Sequence, residues 1–398
     1  MVRNCLIDRR RFFQLGLGAT VGLGCSIISK VAYRNYQLQK LNDPFRGFEV
    51  TPLEPSLRQR AANKNLIYGT ASDYRILSLD PKFATYVMKE CEILVPENDL
   101  KWRTLRPHPN QFDFTDGDWL LNFTQTHDLL MRGHTLIWHH SLPDWFSEIV
   151  TAQNAEQYLV NHVQTVTKRY RGRMHSWDVV NEAIEPYDDR PDGLRRTPWF
   201  DYLGIEYIDL AFRVAAEADP NALLIYNDYG LEYDTNEDEA RRIAVLNLLE
   251  QLKGQGTPIH GLGIQAHLDG HETRFNAEKF RQFLADVASL DLKILVTELD
   301  VADNYLPADI AVRDRIVAAA YEDYLNVVLD EPAVIAVLTW GLSDRYTWLS
   351  EFEPRTDGLP VRPLPLDENM NRKLAWNAIA RAFDQAPART PQNLYMLH

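Results

Sequence analysis

Cysteine is nearly absent: 398 residues contain three, Cys5, Cys25 and Cys91. Two of them fall in the first 25 residues, so the rest of the chain holds one thiol and no internal disulfide. A zinc site built mainly from cysteine is thereby excluded. Basic charge is also short: 42 Lys and Arg stand against 56 Asp and Glu, a formal charge of −14. An acidic chain repels phosphate backbones, which argues against nucleic acid as a partner. No G-x-x-x-x-G-K-[ST] motif occurs, and no G-x-G-x-x-G follows a strand-like run, so no nucleotide cofactor is indicated. No Ser/Thr/Pro-rich tether breaks the chain, which argues against a second module on a linker. Aromatic residues, by contrast, are plentiful, with 9 Trp and 18 Tyr. They fit a core with a sugar-stacking surface, and equally a core alone.

The first residues are basic and then uncharged. Residues 1–35 hold Arg3, Arg9, Arg10, Arg11, Lys30 and Arg34 against Asp8, so the acidic excess lies wholly beyond residue 35. After Arg9-Arg10-Arg11-Phe12-Phe13, residues 15–28 carry no charge. That run has the length of a signal-peptide core and is too short for a comfortable membrane span. Paired arginines before Phe-Phe resemble the twin-arginine export signal of bacteria. The expectation is an exported protein, periplasmic or extracellular. A tethered form stays open, through Cys25 or an uncleaved anchor, as does a basic start to a mature helix.

From residue 66 one unit recurs eight times. Short apolar runs begin at Leu66, Glu92, Gly133, Ser176, Leu223, Gly261, Ile294 and Ile335, spaced by 26 to 47 residues. Amphipathic stretches lie between them, among them Tyr158–Tyr170, Ile205–Ala218, Glu237–Lys253, Ala277–Ala288 and Arg313–Leu329. Strand then helix, eight times, predicts a single α/β domain, a (β/α)8 TIM barrel. Most runs are apolar throughout, as strands covered on both faces should be. The expected divisions are an export segment at 1–35, a lead-in at 36–65, the barrel at 66–384 and a loosely packed surface tail at 385–398.

Nearly every run ends in polar residues. The second ends in Glu97-Asn98 with Lys101 beyond, and the third carries His134 and Trp138. The fourth ends in Asn181-Glu182, the fifth in Asn227-Asp228-Tyr229, the sixth in Gln265-Ala266-His267 and the seventh in Glu298-Leu299-Asp300. The eighth ends in Trp340, with Trp348 beyond. In such a barrel the carboxyl ends of the strands face the active site. So many polar ends would strand charges unless they met in one wet cleft. Glu182 and Glu298 form a carboxyl pair of the kind that glycoside hydrolysis needs, and Asn181 suits a donor to a sugar 2-hydroxyl.

These motifs together resemble glycoside hydrolase family 10, the endo-β-1,4-xylanases. They are Glu97-Asn98-Asp99-Leu100-Lys101-Trp102, Gly133-His134-Thr135-Leu136-Ile137-Trp138-His139, Trp177-Asp178-Val179-Val180-Asn181-Glu182-Ala183, Asn227-Asp228-Tyr229, Gly261-Leu262-Gly263-Ile264-Gln265-Ala266-His267, Thr297-Glu298-Leu299-Asp300 and Trp340-Gly341-Leu342-Ser343-Asp344. The resemblance spans about residues 55–384. It implies endo-hydrolysis of xylan, with Glu182 as acid/base and Glu298 as nucleophile of a retaining mechanism. It implies that His267 bonds Glu298 while Asp300 fixes its tautomer, and that Gln265 and His134 donate to the reacting sugar. Glu97, Asn98 and Lys101 would read the next glycone unit, the alternative for Lys101 being a simple ion pair with Glu97. Trp138, Trp340 and Trp348 would wall the cleft, and Tyr229 would be a platform for the leaving-group side. No cofactor, metal or protein partner is implied, the partner is a polysaccharide, and a monomer is expected. Zinc on His267 lacks cysteine partners.

Three positions depart from the family pattern. Leu100 replaces a Met, Gly230 stands where Asn is usual, and Arg345-Tyr346-Thr347 is bulkier than the small polar residues expected there. The rival readings are a retaining β-1,4-glucanase on the same fold and a non-catalytic carbohydrate-binding barrel. A Schiff-base barrel enzyme is weaker, since Lys101 lies in a loop and Lys293 precedes its strand.

Overall fold

A computed structural model describes residues 40–49, 54–271 and 274–390. The export segment read at 1–35 lies outside them. Nine strands follow in chain order: β1 (Ile67–Ser72), β2 (Ile93–Pro96), β3 (Leu130–Gly133), β4 (Ser176–Asn181), β5 (Leu223–Asp228), β6 (Gly261–Ile264), β7 (His267–Asp269), β8 (Lys293–Ala302) and β9 (Val334–Thr339). Every pairing is parallel. β1 to β6 neighbour each other in sequence, β6 pairs with β8, β8 with β9, and β9 returns to β1. Eight of the nine therefore close a (β/α)8 barrel. Their residues are almost all buried, which is why they read as unbroken apolar runs.

The helices fall where the periodicity places them: Ala155–Arg169, Glu206–Ala218, Asn236–Gly254, Ala277–Ser289 and Ile310–Val328. Each turns an apolar stripe inward, for example Phe280, Phe283, Leu284 and Val287 in the fourth of these. Side-chain caps set several starts, such as Thr235 Oγ1 accepting from Asp238 N and Asp309 Oδ1 from Val312 N.

Three features differ from the sequence expectation. The third strand runs over Leu130–Gly133 and stops where the expected run began; His134 to Trp138 continue past the ladder with only an isolated bridge from Ile137 to Val180. The charge of Arg132 masks that strand in a hydropathy reading. Next, the carboxyl end of β8 overshoots the barrel and carries β7 beside it, with His267 opposite Asp300. Finally, the start of the tail is not loosely packed. Arg389 is buried and donates to the carbonyls of Val334 (3.2 Å) and Leu329 (2.7 Å), while its own N–H reaches Lys64 O (2.9 Å). The lead-in likewise ends in a capped helix, Leu57–Ala62, whose Leu57 and Ala61 are fully buried.

Candidate active site

The carboxyl ends of the strands bring the two glutamates together. Asn181 is the last residue of β4, and Glu182 follows in the left-handed region at φ +56°. Glu298 lies within β8. Both are nearly enclosed, at 9% and 5% exposure, so each carboxyl must be met by protein donors. Glu182 Oε1 accepts from Gln265 Nε2 (2.9 Å) and Asn181 Nδ2 (3.0 Å), and Oε2 accepts from Trp138 Nε1 (2.8 Å). Glu298 Oε1 accepts from Asn227 Nδ2 (2.8 Å), and its Oε2 lies 3.3 Å from His267 Nε2.

A chain of amides joins the pair. Asn227 Nδ2 also reaches Asn181 Oδ1 (2.8 Å), so Asn181 and Asn227 span from one carboxyl to the other. Thr297 Oγ1 donates to Asn227 Oδ1 (2.7 Å) and fixes which end of that amide carries the donors. Asn227 fits because Gly263 on the neighbouring strand has no side chain: a Cβ there would lie 2.2 Å from Asn227 Oδ1.

The surroundings of Glu298 favour its ionised form. Burial pushes its pKa upward, but the hydrogen bond from His267, attraction to His134 and His267, and the Asn227 bond outweigh it and hold the group at about 2. His267 in turn stands well above its usual pKa. Burial opposes this, and the charge and hydrogen bond of Asp300 prevail, helped by Glu298. The register across β7 and β8 sets Asp300 Oδ1 2.9 Å from His267 Nδ1, and Trp348 Nε1 holds the other oxygen at 2.8 Å. Both nitrogens of His267 therefore face carboxylates. Among the described residues, no group of three or more His, Cys, Asp and Glu is arranged to hold a metal ion.

Beyond the pair, His134 is buried against Asp178, with Nδ1 3.0 Å from Oδ2, and meets the edge of Trp340 at 5.3 Å. Asp178 also takes a charged bond from buried Arg132, so an ion pair inside the barrel carries the histidine. Lys101 donates to Asn98 Oδ1 (3.3 Å) rather than to Glu97, and its Nζ lies 5.1 Å from the Trp138 ring and 5.9 Å from that of Trp340. Glu97 is raised to about 7, first by burial and then by the nearby charge of Asp73. Asp73 also receives Asn98 through both its main-chain N (2.7 Å) and its Nδ2 (3.0 Å). Trp340 is buried, while Trp348 is half-buried and lies 5.1 Å from the His267 ring.

Tyr229 is half-buried, with the guanidinium of Arg241 4.4 Å and that of Arg195 5.9 Å from its ring centre, which limits the ring area left to a sugar. Gly230 makes room for that arginine: a Cβ would lie 3.1 Å from Arg241 Nε, and the residue adopts φ +63°. The bulky Arg345 and Tyr346 do not press on the cleft. Both bind Asp80, at 3.1 and 2.8 Å, and Tyr346 packs on Phe83 in the helix that precedes β2.

Sequence reasoning assigned no site role to Asn227, Asp178 or Arg132. Asn227 was legible as a polar strand end and Asp178 as a charge inside an apolar strand, whereas Arg132 fell outside the third strand as the sequence placed it.

The family model described as glycosyl hydrolase family 10 matches residues 56–382. Endo-1,4-beta-xylanase B of Thermotoga neapolitana is 34% identical, over 83% of this chain and 92% of its own. Beta-1,4-xylanase of Dictyoglomus thermophilum is 32% identical, over 87% and 95%. Among solved structures, native xylanase 10B from Thermotoga maritima matches with a TM-score of 0.76 at 34% identity, over 83% of this chain and 98% of that one. Xylanase 10B from Thermotoga petrophila RKU-1, in complex with xylobiose, matches with the same score at 33% identity, over 84% and 99%.

Proposed function

The chain belongs to glycosyl hydrolase family 10, and from that membership we infer that it is a retaining endo-1,4-β-xylanase. The observation that carries the reading is the pair Glu182 and Glu298, joined through Asn181 and Asn227 and served on the Glu298 side by His267 and Asp300.

The surroundings of Glu298 support its role, and the role of Glu182 is carried over from the family. Glu298, held ionised, attacks the anomeric carbon of a bound xylose unit. Glu182 protonates the departing glycosidic oxygen, and a glycosyl ester forms on Glu298. Glu182 then takes a proton from water, which attacks the same carbon and restores the β-configuration. Asn181 turns from Glu182 to the sugar 2-hydroxyl, where its bond strengthens as positive charge develops on the ring. Gln265 and His134 bind the reacting unit; Glu97, Asn98 and Lys101 bind the next glycone unit. Trp138, Trp340 and Trp348 enclose the cleft, and the exposed part of Tyr229 supports the leaving-group side. All these residues come from one barrel, so a monomer suffices. The arginines before Phe12 support export by the twin-arginine route, which fails if mature protein fractionates with the cytoplasm.

Reducing-sugar release from residues 36–398 tests the activity on xylan, carboxymethyl-cellulose and barley β-glucan. Release from xylan alone, abolished in Glu298→Ala, is expected. Release mainly from the glucans would keep the two glutamates and replace the substrate, and an α-anomer as first product would exclude retention.

A further inference from the structure

Glu182 occupies a backbone conformation that its side chain does not favour. A non-glycine residue at φ +56° is uncommon, and the surroundings must hold it there. Its N–H is taken by Asn227 O at 2.9 Å. Its carbonyl has turned out of the β4 ladder and is met by Arg195, whose Nε donates at 2.9 Å. The same guanidinium donates through Nη2 to Ile184 O (3.2 Å) and to the phenol oxygen of Tyr229 (2.8 Å), and lies 3.1 Å from the Glu185 carboxylate. Its own main-chain N–H binds Ala183 O at 2.7 Å. One residue therefore grips three consecutive carbonyls, 182 to 184, and connects them to the aromatic ring on the leaving-group side of the cleft. Arg241 adds a bond to Ile184 O (2.6 Å), but of the two arginines only Arg195 reaches the carbonyl of Glu182.

A planar fork with donors at fixed angles suits this task, and a lysine ammonium does not reproduce it. The link to Tyr229 gives the grip a direction. A sugar resting on that ring sits on the hydrogen-bond partner of the guanidinium that holds the Glu182 carbonyl. We propose that Arg195 is a positioning residue for proton donation: it holds Glu182 in its left-handed conformation and couples it to the leaving-group site through Tyr229. This rests on Glu182 being the proton donor.

Leaving-group dependence separates positioning from general structural support. An aryl xylobioside with a 2,4-dinitrophenolate leaving group departs without protonation, whereas plain phenolate needs the acid. The parameter kcat/KM reports bond cleavage to the leaving group, so it isolates this step from hydrolysis of the ester. In Arg195→Met the expected loss is about tenfold or more on phenyl β-xylobioside and about threefold or less on the dinitrophenyl compound. Arg195→Lys, which keeps the charge and loses the fork, should fall between parent and Met. If R195M does not yield folded protein, R195K carries the same comparison.

Equal losses on both substrates, or no loss on either, would overturn the proposal. Glu182→Ala measured on the same two compounds tells the two failures apart. If E182A shows the leaving-group signature and neither Arg195 variant does, only the role of Arg195 is wrong. If E182A lowers both substrates alike, the assignment of Glu182 fails with it.

Discussion

The charge state of Glu298, the proposed nucleophile, is set by the side chains around it. Glu298 is buried, and burial alone would push a carboxyl toward its neutral, unreactive form; His267, with His134 and Asn227, reverses this, and the pKa of His267 is itself held up chiefly by Asp300 at its other nitrogen. The sign is then fixed. A carboxyl attacks only when ionised, the pKa of Glu298 is depressed to about 2, and losing the His267 partner lets burial raise it. In His267→Ala the acid limb of kcat/KM should move upward into the range above about pH 4, and His267→Asn should shift it less because one hydrogen bond can survive. A uniform drop in rate with an unmoved limb would mean that His267 acts on the sugar instead. This layer was only partly legible in the sequence. Glu182, Glu298, His267 and Asp300 stand at strand ends, where composition changes abruptly. Asn227 was visible there too, but nothing in the sequence says that it touches both Glu298 and Asn181. That fact depends on the register between β5 and its neighbours, and register is a three-dimensional property.

Strands in this barrel do two jobs, and the second explains why hydropathy misplaced the third of them. A strand that only builds the wall reads as an apolar run, as β1 and β9 do. A strand that also supports the site carries buried charge, and its run is broken: Arg132 in β3 pairs with Asp178 in β4, beneath His134. Close packing of neighbouring strands sets a further condition, for which a glycine is the only sign in the sequence. Gly263 on β6 leaves the space that the Asn227 amide fills, with Thr297 of β8 orienting that amide from the far side. Gly263→Ala should displace Asn227 and release both carboxyl groups from their shared support. The expected result is a fall in kcat/KM of about tenfold or more, since the reacting groups lose alignment. Overpacking should cost about 1–3 kcal/mol of stability as well, read as a lower unfolding midpoint. An unchanged rate alongside a lowered midpoint would show that the amide bridge is dispensable to the chemistry.

At the scale of the whole barrel, stability and chemistry sit at opposite ends. The proposed catalytic groups gather at the carboxyl ends of the strands, while the two chain ends of the domain meet at the other face. There the helix Leu57–Ala62 packs against the last helix, Leu374–Gln385, and Asn65 Nδ2 donates to Arg389 O at 2.6 Å. Arg389 passes its guanidinium between the carbonyls of Leu329 and Val334, at the start of β9, and its main-chain N–H returns to Lys64. β9 pairs with β1, so this arginine ties the seam where the barrel closes. The sequence hid the role because Ala-Pro-Ala-Arg-Thr-Pro has the composition of a loose tail, and only the tertiary contacts show that its arginine is buried. Arg389→Ala leaves at least two buried carbonyls without their donor, a loss of about 1–3 kcal/mol for each group left unpaired. In a domain of this size that amounts to several degrees in the unfolding midpoint. Because the seam lies across the barrel from Glu182 and Glu298, kcat/KM measured well below the midpoint should match the parent within about twofold. A midpoint that does not move would mean that the tail merely lies along the barrel. A matched fall in rate and midpoint would mean that closure of the seam is felt at the catalytic face, which the rigid packing of eight closed strands argues against.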